Sequence, residues 1–158
     1  MKIGVPKEPE GETRVAIVPG SMKKLSKAGF EVIVESGAGL SANYSDSEYT
    51  DAGASIGSID DVLSCDIIIS IRLVNLERVE SGKILACVAD PFRHPQMVSK
   101  CIESGITLMS MDMIPRRLSR AQSMDVNSSQ DNLAGYKAVL LGAANVPRGI
   151  PMMTTSAG

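Results

Sequence analysis

Between the apolar runs ITLMSMDMI and AVLLGAA lies RRLSRAQSMDVNSSQDNLAGYK, residues 116–137, where polar and charged side chains crowd together. A connector between a strand and a helix needs only about four residues. This one gathers the donors Arg116, Arg117, Arg120 and Gln122 beside the acceptors Asp125 and Ser128. Gln122, Asp125 and Ser128 recur at a spacing of three, so a helical turn would place them on one side. Such a set can grip a ligand group that both donates and accepts hydrogen bonds. The competing explanation is local: Ser123 or Asp125 caps the following helix and the arginines are solvated.

The elements that must hold this stretch are legible as alternating strands and helices. MKIGVP, FEVIVE, CDIIISI, ILACVA and ITLMSM are short runs of branched or apolar residues, and each predicts a strand. CDIIISI and ILACVA are almost wholly apolar, as suits parallel strands covered on both faces. Between them PGSMKKLSKAG, SDSEYTDAG, SIDDVLSC and HPQMVSKCIESG predict helices. Pro19 can open the first, with Met22 and Leu25 on its inner face and Gly29 at its end. Met97, Cys101 and Ile102 keep a similar period in the last, which Gly105 stops. The longest helix should begin near Asp125 or Ser128 and run to about Asn145, with Leu133, Ala134, Lys137, Leu140, Leu141 and Ala144 on related faces. The alternation predicts an α/β fold, an open doubly wound parallel sheet of flavodoxin or Rossmann type, with ligands beyond the strand C-termini. Residues 1–144 form this lobe. Residues 145–158, containing NVPRGIPMMTTSAG, read as a linker, and a further domain is expected beyond them.

Composition narrows the class without naming a function. With 158 residues the chain can build one core, and 16 basic against 18 acidic residues give no strong field for nucleic acid or an anionic membrane. No apolar run approaches the ~20 residues of a membrane span, and MKIGVP enters a strand with no signal-peptide pattern, so a cytoplasmic protein is expected. Cys65, Cys87 and Cys101 read as small core residues in a reducing compartment, without a metal site. His94, between Arg93 and Pro95, is expected at the surface. After FEVIVE, the residues Gly37, Gly39 and Ala42 match the G-x-G-x-x-A spacing of a dinucleotide turn. The residues that follow, NYSDSEY, lack an apolar helical face, so a plain glycine turn is the preferred reading.

Two stretches carry a resemblance. GVPKEPEGETRVAIVPGSMKKLSKAG, residues 4–29, is similar to the N-terminal signature shared by alanine dehydrogenases and the alpha subunit of proton-translocating NAD(P) transhydrogenase. PRRLSRAQSMDVNSSQDNLAGYKAV resembles the Arg-Gln-Asp loop of the transhydrogenases and is much less like alanine dehydrogenase. The closing PMMTTSAG looks like the transhydrogenase sequence just before its Rossmann domain. The resemblance implies the first lobe of a two-lobe NAD(H)-binding subunit, truncated before its dinucleotide fingerprint and inactive by itself. It implies that Arg117, Leu118, Ser119, Arg120, Gln122, Asp125 and Ser128 approach the nicotinamide end of NAD(H), the rest of the cofactor being held by the missing Rossmann lobe. Partners so implied are that lobe, the NADP(H)-binding and membrane domains of a transhydrogenase, and a second copy in a homodimer, with a location peripheral to the inner membrane. Alanine dehydrogenases resemble the chain through the same N-terminal signature, and their substrate pocket uses a lysine and a histidine. Register places Arg72 and Asp90 at those positions, and Arg14 reads as structural beside Glu8 and Glu12. An alanine dehydrogenase-like lobe is the alternative, and a noncatalytic dimerisation or docking lobe the third possibility.

Overall fold

The computed structural model describes residues 1–148 and divides the chain into two compact units, Met1–Met113 and Ile114–Gly158. The first unit contains a six-stranded sheet. Its strands are β1 (Lys2–Val5), β2 (Glu31–Glu35), β3 (Ser55–Gly57), β4 (Ile67–Ile69), β5 (Ile84–Cys87) and β6 (Thr107–Ser110). All neighbours are parallel and the order is β3-β2-β1-β4-β5-β6. The chain therefore winds outward from β1 one way and then, after returning through β4, the other way. That reversal between β1 and β4 is the doubly wound arrangement expected from the sequence.

Four helices connect the strands: α1 (Met22–Lys27), α2 (Asp46–Asp51), α3 (Ile59–Leu63) and α4 (Pro95–Glu103). α2 and α3 start with reciprocal capping boxes, Ser45 with Glu48 and Ser58 with Asp61. Each box satisfies two backbone donors that a helix start leaves open. α1 and α4 end where Gly29 and Gly105 take positive φ, as their positions in the sequence suggest. Met22, Met97 and Cys101 are buried as expected. Ile102 is 74% exposed, so the inner face of α4 excludes it. β3 is not legible as a strand in the sequence: Ser-Ile-Gly is too short and mixed to show a period, and its pairing with β2 at the sheet edge creates it.

Two apolar clusters make the core. Ile3, Val5, Val32, Val34 and Met22 form one with Tyr49, whose hydroxyl donates to the Ile17 carbonyl oxygen at 2.8 Å. Ile68, Leu85, Cys87, Met97 and Cys101 belong to the other. The three cysteines are free and buried, as the composition suggests, and burial pushes the Cys87 thiol up to about 12. Met22 of α1 and Tyr49 of α2 belong to the first cluster, and Leu63 of α3 with Met97 and Cys101 of α4 to the second.

At the C-terminal ends of β1 and β4, acidic side chains tie the loops together. Glu8 is buried and accepts hydrogen bonds from the backbone N–H groups of Ile71 at 2.6 Å and Arg72 at 2.9 Å. Glu12 receives Arg14 in a fork, Nε and Nη2 each at 2.7 Å, and also Arg72 Nε at 3.1 Å. Arg14 is thus the structural residue the sequence suggests. A third carboxylate does the same farther along: Asp112 accepts from the N–H groups of Ala89 and Asp90, both at 3.1 Å. Asp90 sits there at a φ of 43°, a conformation that aspartate adopts more readily than most residues other than glycine.

Two consequences can be measured. A Cβ added at Gly4 would drive into the Val62 carbonyl of α3. Gly4→Ala should therefore destabilise the fold by about 2–3 kcal/mol, at the upper end of overpacking costs, as read from the urea midpoint. The bonds from Arg14 hold the Glu12 carboxyl well down, from 4.5 to about 2. A depressed carboxylate stabilises the fold above its unfolded value, and that contribution is lost as pH falls from about 4.5 through about 2. Glu8, which burial pushes up, has the opposite sign, so its charged form costs stability as pH rises. Glu12→Gln should cost on the order of 2 kcal/mol at neutral pH, the half-exposed Arg14 screening the rest. The gap to the unsubstituted chain should close on acidification; a gap that stays constant down to pH 2 would contradict this account.

Candidate functional site

The polar stretch singled out in the sequence belongs to the second unit. A 3-10 turn at Gln122–Met124 leads into α5 (Val126–Asn145), whose N-cap is Asp125. Asp125 Oδ1 accepts the Ser128 backbone N–H at 3.0 Å, and Oδ2 accepts the Ser128 hydroxyl at 2.7 Å. Aspartate leads here because its carboxylate satisfies an open donor of the first turn and meets the positive end of the helix dipole.

Arg116 completes the arrangement. Its Nε donates to Asp125 Oδ2 at 3.1 Å and to Ser128 Oγ at 3.0 Å, and Nη2 donates to Ser128 Oγ at 2.6 Å. The Asp125 side chain is 7% exposed within this grip, whereas that of Arg116 is 62% exposed. The Ser128 bonds first, and the Arg116 guanidinium after them, hold the Asp125 carboxyl below the usual range. The structure thus brings Asp125 and Ser128 together in a cap, and an arginine outside the set that the resemblance implies braces the pair. A helical period cannot reveal such a residue: Arg116 lies nine positions before Asp125 and meets it only because the loop turns back.

The remaining residues of the set face outward. Arg117, Leu118, Ser119, Arg120 and Gln122 are exposed, and among the described residues the side chains of Arg117, Arg120 and Gln122 make no hydrogen bond. Free guanidinium and amide groups thus stand beside a cap whose Ser128 hydroxyl is fully engaged and whose Asp125 Oδ1 holds one donor. α5 buries none of its residues, with Leu133 and Tyr136 among those exposed.

Other candidate positions are committed elsewhere. The N–H of Gly37 donates to Asp46 Oδ1 at 2.8 Å, so the carboxylate of α2 sits where a pyrophosphate would need that donor. A Cβ at Gly39 would meet Tyr49 and Tyr44, which explains that glycine by packing alone. The plain-turn reading holds there. The first βα connection, PKEPEGETRVAIVPG, carries the Glu8 and Glu12 braces rather than a glycine-rich phosphate cradle. Arg72 spends Nε on Glu12, and the Asp90 backbone is clamped by Asp112. His94 is exposed at the start of α4. Among the described residues no group of histidine, cysteine and carboxylate side chains could hold a metal, and no helix is long and apolar enough to cross a membrane. Of the linker expected over residues 145–158, Asn145 ends α5, and residues 149–158 lie outside the described residues.

Comparison with known proteins gives the family and the fold. The chain is 43% identical to the first part of the NAD(P) transhydrogenase alpha subunit of Rhodospirillum rubrum, an alignment that covers 100% of the chain and 44% of that protein. It superposes on the crystal structure of a transhydrogenase from Sinorhizobium meliloti with a TM-score of 0.90 at 40% identity, covering 100% of the chain and 48% of the other. Alanine dehydrogenase of Methanococcus maripaludis is more distant, at 30% identity over 90% of the chain and 39% of that enzyme. The chain spans less than half the length of each of these relatives. The model of the alanine dehydrogenase/PNT N-terminal domain matches residues 4–134, and the chain belongs to that family.

Proposed function

We propose that the chain is the N-terminal portion of the NAD(H)-binding alpha subunit of a proton-translocating NAD(P) transhydrogenase, and that its 116–128 loop addresses the nicotinamide end of NAD(H). The observation that carries this reading is the pair of exposed, unengaged donors Arg117 and Gln122 beside the Asp125–Ser128 cap. A carboxamide offers one C=O acceptor and two N–H donors. The Arg117 guanidinium and the Gln122 amide can donate to that oxygen, while the Gln122 carbonyl and the open edge of Asp125 can accept. Leu118, Ser119 and Arg120 lie in the same exposed turn and would border the ring.

In the reaction so proposed, hydride leaves C4 of the dihydronicotinamide of NADH with both electrons of the C–H bond and adds to C4 of the nicotinamide of NADP+. The donor departs as NAD+ and the acceptor as NADPH. No protein nucleophile is required, because the cofactors supply the chemistry and the protein sets ring distance and orientation. Neither the Gly37 turn nor the first βα connection offers the pyrophosphate a cradle, since Gly37 is engaged by Asp46 and the first βα connection by its own acids. A Rossmann lobe would hold the adenine and the pyrophosphate. NADP(H)-binding and membrane domains, a second copy in a homodimer, and a position at the cytoplasmic side of the inner membrane complete the reading.

Alanine dehydrogenase chemistry fits less well. The lysine position holds Arg72, a guanidinium that stays protonated and cannot relay a proton. The histidine position holds Asp90, an anion that would repel a carboxylate substrate such as pyruvate.

Binding and turnover both test this reading. The chain by itself should bind NADH only weakly, its few exposed hydrogen bonds each contributing about 1 kcal/mol, and calorimetry showing micromolar affinity would overturn the division of the cofactor. When the chain is joined to the C-terminal half of the Rhodospirillum rubrum relative, Gln122→Asn or Arg117→Ala should slow single-turnover hydride transfer by about tenfold or more, with a smaller loss in NADH affinity. The same fusion should not form NADH from L-alanine and NAD+. Turnover that disappears on His94→Ala would transfer the assignment to the dehydrogenase.

A further inference from the structure

We propose that Arg116 is a positioning residue of this loop, acting on the nicotinamide end of the cofactor through Asp125 and Ser128; the inference rests on the reading of the loop given above. Hydrogen-bond capacity carries it. A serine hydroxyl has one proton and two lone pairs. Ser128 gives its proton to Asp125 Oδ2 at 2.7 Å and accepts from Arg116 Nε at 3.0 Å and Nη2 at 2.6 Å. Its capacity is spent. Asp125 Oδ2 takes the Ser128 hydroxyl and Arg116 Nε, and Oδ1 takes the Ser128 N–H. The open acceptor of the pair is therefore on Oδ1, and the plane of the guanidinium sets the direction in which it faces.

By type alone, Asp125 and Ser128 could each accept from a carboxamide. Arg116 reduces them to one directed edge and leaves the donor side of the site to Arg117 and Gln122. It also compensates the Asp125 charge, so a cofactor approaching this turn meets a neutralised pair and the exposed cations Arg117 and Arg120. The helix cap does not need Arg116, because the Ser128 N–H and hydroxyl already bind Asp125. Loss of the arginine should thus spare α5 while freeing the Ser128 hydroxyl and the Asp125 rotamer. Lysine keeps the charge without the planar fork, so it cannot hold both partners in one plane.

The test uses the completed subunit and the 158-residue chain, each unsubstituted, as Arg116→Lys and as Arg116→Ala. In the subunit, calorimetry gives the NADH dissociation constant. Rapid mixing with NADP+ and the NADP(H)-binding domain gives the single-turnover rate. In the chain, circular dichroism reports α5 and carboxyl-detected NMR follows Asp125. The alanine variant should transfer hydride about tenfold or more slowly, with the NADH constant changed less than about threefold. The lysine variant should fall between. Helicity should be unchanged, and the Asp125 carboxyl of the alanine variant should titrate at higher pH. An alanine variant with an unsubstituted rate overturns the inference, and so does one whose slower rate comes with lost helicity. Absence of hydride transfer in the unsubstituted subunit sinks the reading of the loop and the inference with it. Arg116-independent transfer sinks the inference alone.

Discussion

The buried carboxylate of Glu8 holds the place where the sheet reverses direction. At such a point the loops after two adjacent parallel strands leave toward opposite faces, and a crevice opens between them. The part-buried N–H groups of Ile71 and Arg72 at the end of β4 need an acceptor there, since an unpaired donor costs up to about 1–3 kcal/mol when buried. Glu8 supplies the acceptor for both Ile71 and Arg72. A carboxylate taken out of water is itself unfavourable, and burial raises its pKa in spite of the two bonds. The fold therefore accepts an unfavourable charge to close its own crevice. Glu12 with Arg14 and Arg72, and Asp112 with Ala89 and Asp90, extend the same solution along the rim.

That closure shapes what the first unit can do. Rossmann-type strand order is usually associated with a dinucleotide lying across the switch point, its pyrophosphate at a helix N-terminus. Here the order is present and the donors are used internally. The family's two branches share this N-terminal frame, and the chain matches both transhydrogenase and alanine dehydrogenase relatives through it. Differences between the branches then fall on individual side chains. At the two positions proposed to separate the branches, Arg72 and Asp90 are each drawn into the internal braces by backbone or guanidinium.

Much of this is legible in the sequence because it depends on local pattern. β1, β2, β4, β5 and β6 show as apolar runs, and the boundaries of α5 follow from Asp125 as a capping residue and from Asn145 before a proline-bearing segment. What escapes depends on tertiary partners. β3 exists because β2 offers it an edge. Ile102 repeats the period of α4 yet points away from the sheet, since a nine-residue helix can bury only a narrow stripe. The two-N–H grip of Glu8 spans more than sixty positions, a separation at which residue types give no hint of pairing.

The candidate site shows the same division at smaller scale. Gln122, Asp125 and Ser128 stand out by their spacing, and a spacing of three is also what an N-cap requires of its acceptor and its first-turn donor. One pattern therefore serves two explanations, and sequence alone gives no means of separating them. Geometry shows the capping role atom by atom. Asp125 and Ser128 fulfil the capping role almost completely, whereas Arg117 and Gln122 contribute nothing to it. Those two donors are free for a ligand in the proposed reading and for water without one. A loop built only to hold a ligand would not spend its best acceptors on its own backbone. The cap ties Asp125 to the first turn of α5, the side chains of Arg117 and Gln122 stand outside it, and in the proposed reaction such anchoring would serve groups that set ring distance.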